Sequence, residues 1–302
     1  MEELARELSS FAETDRILIR EPMRDHTTFR VGGPADVCFR PQNRDEARRA
    51  VTLARERGIP CLVAGNGSNL IVRDGGIRGL VILLGERFSE ITVEGNTIRC
   101  EAGAKLSQLA NAALEHGLTG LEFASGIPGS VGGGCAMNAG AYGGQLSDVL
   151  VRAEVLRDGE FVTYSREEME MGYRTTRPLR EGSVVLAAEF ALQEGDRDAI
   201  AETMRDLNAR RRDKQPLNFP SAGSVFKRPE GYFAGALIEQ ADLKGETVGG
   251  AQVSEKHAGF IVNTGGATAS DVLNLIRKVQ DRVQEHAGVH LECEVRIVGE
   301  DA

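Results

Sequence analysis

The sequence predicts an α+β fold: two strand-rich lobes followed by a further domain. Three observations carry that prediction. Short β-type runs alternate with amphipathic helices through the first part of the chain. A glycine-dense stretch, Ser125 to Gly144, holds eight glycines in twenty residues. Near residue 195 the texture turns charged and helical, which sets a domain boundary at about 195–204. A chain of 302 residues suits two or three domains, and its 41% apolar content suffices for their cores.

In order, residues 1–20 read as an N-terminal helix with Leu4, Leu8 and Phe11 on one stripe. His26 to Phe39 reads as two short strands around the Gly32-Gly33-Pro34 turn. Asn43 then caps a helix, with Glu46 completing a capping box and Gly58 ending it. A buried strand, Pro60 to Ala64, runs into a second glycine-rich turn, Gly65-Asn66-Gly67-Ser68-Asn69. Strands follow at 79–84, 91–93 and 97–101, then a helix at 105–116. A hairpin across Asp158-Gly159 joins 151–156 to 160–164, and 184–192 is another strand. Beyond the boundary, Asp196 caps a charged helix. Ser270 caps a long amphipathic one, and strands are expected at 259–263 and 291–298.

Composition narrows the function. A net charge of −9 and a pI near 5.3 disfavour a general binder of nucleic acid or anionic membrane. The N-terminus lacks the basic and apolar regions of a signal peptide, and no apolar run is long enough for a membrane span. The five cysteines have no Cys-x-x-Cys spacing, which fits reduced thiols in a cytoplasm. The five histidines form no metal-ligand pattern, so no metal is expected.

Glycine loses the most backbone entropy on folding. A run as dense as 125–144 therefore points to backbone held close to a ligand, with amides aimed at an anion. The apolar residues Ile127, Pro128, Val131, Ala136 and Met137 argue against a flexible linker. The 65–69 turn lies at a strand end, where α/β proteins place ligands, yet it matches neither a dinucleotide fingerprint nor a P-loop. A capped β-turn explains it equally well.

Four groups in the second half carry chemistry. Tyr173-Arg174-Thr175-Thr176 sets an arginine fork between an aromatic ring and hydroxyls, suited to a carboxylate or phosphate, or simply to stacking on the tyrosine. Arg211 and Lys214 end a helix, where dipole compensation is the simpler account. Ser221 to Lys227 presents Ser224 after a small flexible pair, with Lys227 beside it and no neighbouring histidine in sequence. Leu291 to Ile297 alternates Glu292 and Glu294 against Cys293 and Val295.

Combined and in order, these pieces resemble the UDP-N-acetylenolpyruvoylglucosamine reductase family of flavoenzymes. The matching segments are Thr28 to Ala35, Ala64 to Asn69, Gly126 to Gly132, Asn138 to Gly143, Tyr173-Arg174, Ala222-Gly223-Ser224-x-Phe226-Lys227 and Glu294-Val295-Arg296. They span nearly the whole chain. The resemblance implies an N-terminal helical segment, 1–26, before a PCMH-type FAD-binding module, 27–194, with lobes at about 27–85 and 86–194. A substrate-binding domain, 204–302, would follow, its last strand packing back toward the flavin.

It further implies non-covalent FAD held by Gly65, Asn66, Gly67, Ser68 and Asn69 and by Ser125, Gly126, Ile127, Pro128, Gly129, Gly132, Ala139 and Gly140. NADPH would be the hydride donor. The reduced flavin would pass hydride to C3 of UDP-N-acetylglucosamine-enolpyruvate, and Ser224 would protonate C2. Arg174 and Glu294 would stabilise the enolic charge. Tyr173, Arg211, Lys214 and Lys227 would bind substrate. The expected context is a cytoplasmic monomer in peptidoglycan synthesis, serving cell wall, shape and division. Two positions depart from the family pattern: Thr176 replaces the usual serine and Arg228 the usual asparagine. The chain resembles the compact subtype that lacks an extra tyrosine-bearing loop. Competing readings are a sugar or lactone oxidase of the same flavin fold and a non-catalytic nucleotide-sugar binding protein.

Overall fold

The computed structural model describes residues 1–302. They pack as two compact units. The first comprises Met1–Ile19, Val37–Asn66 and Gly79–Arg211; the second comprises Arg20–Asp36, Gly67–Arg78 and Arg212–Ala302. Two early segments thus belong with the C-terminal part, where the linear reading draws one boundary. Pairing explains it. The strand Arg296–Val298 runs parallel to Leu70–Val72. The Asp74 carboxylate takes the amides of Ala269 and Ser270, both at 2.8 Å, at the start of the last helix. A residue 195 positions away is not visible to a local reading of strands and helices.

The first unit is built on a five-stranded antiparallel sheet in the order Glu160–Ser165, Leu150–Arg157, Val184–Ala191, Thr97–Glu101, Ile91–Glu94. Its hairpin turns at Asp158 and Gly159, with φ of 53° and 86°, the paired left-handed geometry that suits a two-residue loop. The helix Leu106–Glu115 buries Leu106, Leu109, Ala110 and Ala113 in the core this sheet shares with Val131, Cys135 and Phe190. A second sheet has the order Ile17–Pro22, Pro34–Phe39, Ile77–Leu83, Cys61–Ala64. The helix Arg44–Glu56 covers it through Ala47, Ala50 and Ala54, which join Val37, Phe39, Leu80 and Ile82.

Several expectations change here. The N-terminal helix spans only Glu2–Ser9; Ile17–Pro22 is a strand, because β-branched and apolar residues pair there with the next segment. Only one strand, Pro34–Phe39, forms around the Gly-Gly-Pro turn, and Met23–His26 is a 3₁₀ turn. Asn43 does cap its helix, accepting from the Glu46 amide at 2.9 Å. Glu46 completes no box; its carboxylate accepts from the Gln42 amide at 3.0 Å and holds the buried Arg16 guanidinium at 3.1 Å. That bond and charge raise the arginine's pKa despite burial. The strand Cys61–Ala64 is half-open, with Cys61 exposed and only Ala64 buried.

The second unit has a three-stranded antiparallel sheet, Thr247–Val248, Ala251–Val253 and Ile261–Asn263. Helices Ala234–Gln240 and Ala269–Ala287 bury Leu237, Ile238, Val272, Ile276, Val279 and Val283 with Phe29, Val31 and Ile71. Thr268, not Ser270, caps the long helix: its hydroxyl accepts from the Asp271 amide, and Asp271 returns to the Thr268 amide, both at 3.0 Å. The Thr268 amide, then the Thr268 hydroxyl and the Gly250 amide, hold the Asp271 carboxyl below its usual pKa. Ser270 is occupied instead by Asp74. The strand expected over 291–298 shrinks to Arg296–Val298, so Glu292 and Glu294 do not share a strand face. No helix is long and apolar enough to cross a membrane.

Candidate active site

In the first unit the two glycine-rich turns abut. The Asn66 side-chain amide donates to the Pro128 carbonyl at 2.6 Å. A Cβ on Gly65 would lie 2.0 Å from Ser130 Oγ, so glycine is what permits the approach. The amides of Asn66, Gly126, Gly129 and Ser130 make no hydrogen bond within the protein. Two facing bends with unengaged amides suit the diphosphate of a dinucleotide. The residues present therefore fit FAD.

Not every glycine answers to a ligand. Val131–Ala136 is a short helix capped by Ser130, and its glycines pack inward. A Cβ on Gly132 would stand 2.6 Å from that of Ala102, and one on Gly134 would crowd Leu106 and Leu146 at 3.0 and 3.1 Å. A Cβ on Gly126 would meet Asn208 Oδ1 at 2.4 Å and Arg211 Nε at 3.1 Å. Gly140 lies in a tight two-stranded ribbon whose partner's Gly144 oxygen would be 2.7 Å away. Ala139 donates its amide to Gly134, and Ser125 accepts from Asn208 at 3.2 Å. Ile127 packs against the main core of the unit. Close packing accounts for Gly132 and Gly134.

Arg174 stands at the tip of a two-residue turn, with Gly172 and Thr175 bonded across its base at 2.9 and 3.4 Å. Its φ of 55° is left-handed, which costs a non-glycine residue about 1–2 kcal/mol. Its guanidinium lies 5.3 Å from the exposed Tyr173 ring. Both flanks of the turn are hooked onto the glycine-rich segment. Asn138, itself buried, donates to the Gly172 carbonyl at 3.2 Å and accepts the Ser147 amide at 3.0 Å. Thr176 is fully buried; it donates to the Ala136 carbonyl at 2.8 Å and caps the helix Arg177–Glu181. The substitution at 176 is thus an internal anchor. Arg211 is partly buried beside Tyr142, and desolvation lowers its pKa. Lys214 is exposed at the end of its helix.

In the second unit, main-chain pairing brings Ser224 and Glu294 together. The Glu294 amide donates to the Val225 carbonyl at 2.7 Å, and the Lys227 amide donates to Glu292 at 2.9 Å. On the other side the Val225 amide donates to the Gly259 carbonyl at 2.9 Å, and the Ser224 hydroxyl reaches the same oxygen at 3.4 Å. Ser224-Val225 is therefore a central strip between two others. Asn69 grips the Glu294 side: its Nδ2 donates to the Glu294 carbonyl at 3.0 Å, and its own carbonyl accepts from the Arg296 amide at 2.9 Å. Gly67 passes tightly under His26, whose oxygen would be 2.0 Å from an added Cβ. Ser68 is half-buried between them. Lys227 pairs with Glu292 at 3.1 Å, and Arg228 stacks 4.0 Å over Phe233. Two residues that anchor the arginine turn, Asn138 and Thr176, had no signal in sequence spacing, because each acts through a contact distant in the chain.

Two family models match this chain: an FAD binding domain over 35–165, and the C-terminal domain of UDP-N-acetylenolpyruvoylglucosamine reductase over 215–298. A UDP-N-acetylenolpyruvoylglucosamine reductase of Alkaliphilus oremlandii is 53% identical over 97% of both chains. The chain belongs to the UDP-N-acetylenolpyruvoylglucosamine reductase family. The crystal structure of that reductase from Thermus caldophilus superimposes with a TM-score of 0.81 at 38% identity, covering 93% of this chain and 97% of that one. Alkyldihydroxyacetonephosphate synthase shares the fold alone, with a TM-score of 0.51 at 16% identity over 64% of this chain. The reductase family thus joins an FAD-binding fold to a C-terminal domain of its own, as the α+β reading expects. The oxidase and binding-protein readings find no support among these relatives.

Proposed function

We propose that this protein is the FAD-dependent reductase that converts UDP-N-acetylglucosamine-enolpyruvate to UDP-N-acetylmuramate with NADPH as hydride donor. What carries the reading within this chain is the paired strip of the second unit, in which Ser224 and Glu294 meet through Val225. The FAD-binding fold lies within 35–165 and the family's C-terminal domain within 215–298, with segments 20–36 and 67–78 grouped with the C-terminal unit. FAD, when bound, supplies the carrier that takes hydride from NADPH and yields it to the enolpyruvyl C3. The amides of Asn66, Gly126, Gly129 and Ser130 would hold its diphosphate.

Ser224 gives its hydroxyl proton to C2, where negative charge develops as hydride arrives at C3. Serine is a poor acid in water, so this role needs close contact and excluded solvent. The half-buried hydroxyl fits the limited solvent access, and its proton, which reaches the Gly259 carbonyl at 3.4 Å, would turn from that oxygen to C2. Arg174 sets a charged fork on the substrate carboxylate, where the enolic charge spreads. Its strained backbone supports a functional assignment, since strain at a non-glycine residue persists only where its surroundings hold it. Glu294 fixes the same intermediate. Tyr173, Arg211, Lys214 and Lys227 orient the nucleotide and neutralise its diphosphate. The same reading places the enzyme in the cytoplasm as a monomer, feeding peptidoglycan precursor synthesis and so cell shape and division.

The test is optical. The purified protein is expected to be yellow, to bleach with NADPH and to regain colour with the enolpyruvyl nucleotide. A colourless protein that takes up no flavin, or one whose bleached form ignores the nucleotide, overturns the proposal.

A further inference from the structure

His257 lies 33 residues beyond Ser224 in sequence and beside it in space. An ideal Cβ placed on Gly259 would touch both: His257 Cε1 at 3.0 Å and Nδ1 at 3.2 Å, and Ser224 Oγ at 3.3 Å. The three residues form a short relay. The Gly259 amide donates to His257 Nδ1 at 3.1 Å. The carbonyl of the same residue accepts from the Ser224 hydroxyl at 3.4 Å and from the Val225 amide at 2.9 Å. We propose that His257 is a positioning residue for Ser224, its neutral ring fixing the Gly259 residue whose carbonyl orients the serine hydroxyl. The inference rests on the proposed role of Ser224 as proton donor.

The turn is built for a neutral imidazole. Because Nδ1 accepts, the single proton of the neutral ring sits on Nε2. The buried Ser254 hydroxyl holds the amides of Lys256 and His257 at 3.1 and 3.3 Å, which fixes the turn from below. The His257 ring packs edge-on against Phe260, with centroids 5.0 Å apart. Gly235, on the helix Ala234–Gln240, comes up against Cε1. The charged groups that face the ring are Lys244 and Glu239, which pair with each other at 2.7 Å. Burial, and next the Lys244 charge, push the His257 pKa below its ordinary value, against the pull of its own backbone and Glu239.

Protonating Nδ1 turns the acceptor into a donor that faces the Gly259 amide. The bond is then lost, and Gly259, whose carbonyl is the partner of Ser224, loses the contact that fixes its amide side. The sign follows. The depressed pKa keeps His257 neutral at and above its ordinary value near 6.5, so proton delivery is intact there and fails as pH falls below it.

The experiment uses the FAD-loaded protein and three variants. NMR of labelled protein should show the His257 Cε1 proton and the Gly259 amide titrating with one shared midpoint below 6.5. Reoxidation of NADPH-reduced flavin by the enolpyruvyl nucleotide should slow through the same midpoint, while reduction by NADPH does not. His257→Asn, whose side-chain oxygen can accept from the amide two residues on, should restore fast reoxidation and flatten its pH profile. His257→Leu should slow reoxidation on the order of tenfold at every pH, as expected for a misplaced reacting group. A Gly259 amide indifferent to the His257 titration, or a His257→Leu variant that reoxidises at the normal rate, overturns the inference. Ser224→Ala separates this from the underlying reading. If that variant turns over normally, the proton-donor role of Ser224 is refuted even where the His257–Gly259 titration is seen.

Discussion

The arginine turn of the first unit and the serine strip of the second are positioned by different means. Arg174 is held from outside its own turn, by the side chains of Asn138 and Thr176, in a backbone conformation it would not choose. Ser224 is held by main-chain pairing on both sides, through Val225 to Gly259 and to Glu294. Strain plus a few side-chain hooks makes a site that one substitution can release. A backbone strip shares its support among several peptide bonds and yields less easily. The difference predicts that losing one anchor costs the arginine turn stability and activity together, whereas in the second region an indirect change reaches Ser224 only through the turn at Gly259.

The largest effect expected in the arginine region is on Arg174 itself. Arg174→Ala should lower kcat/KM by about 10²–10³, the usual cost of removing one preorganised charge partner. A steady-state assay checks it, and near-normal turnover would remove Arg174 from the chemistry. Next comes its anchor. Asn138→Ala leaves the buried Ser147 amide unpaired and removes one of the two bonds to the Gly172 carbonyl, a loss of about 1–3 kcal/mol in stability. Denaturant unfolding checks that, and kcat should drop with it although Asn138 is proposed to touch no reacting atom. If only stability falls, the anchoring half of the comparison is wrong.

Thr176→Val should cost about 1 kcal/mol, for the lost Ala136 bond and helix cap, whereas Thr176→Ser should cost about 0.8 kcal/mol for its missing buried methyl. Thermal unfolding of the pair separates hydroxyl from methyl. The smallest effect sharpens the strain argument. Arg174→Gly should be more stable than Arg174→Ala by about 1 kcal/mol, because only glycine relaxes at φ near 55°. An alanine variant equal to the glycine one would mean that the turn is unstrained.

How much of this the sequence reveals varies with the kind of signal. Periodic elements such as Leu106–Glu115 and the 150–165 hairpin are local, and their apolar spacing or Asp-Gly turn suffices to find them. The cap of the last helix was misplaced by two residues because Thr268 and Ser270 are both hydroxyl residues; only the presence of Asp74, from far upstream, decides between them. Glycine density does not say what each glycine is for. Gly132 and Gly134 serve helix packing, a cause that composition cannot distinguish from ligand approach. Histidine spacing gives His257 no pattern. Its partner is an amide two residues on, and such a turn leaves no periodic trace. Cys100 and Cys135 behave as the small apolar residues expected: both are buried, and desolvation pushes the Cys100 thiol up to about 12.

The account stands on proton delivery from the second unit, and single-turnover reoxidation of Ser224→Ala measures that directly. The variant should bind FAD and bleach with NADPH at the normal rate, then regain its colour with the enolpyruvyl nucleotide at least about 10²-fold more slowly, the low end for a lost general acid. Reoxidation of the variant at the wild-type rate would contradict it.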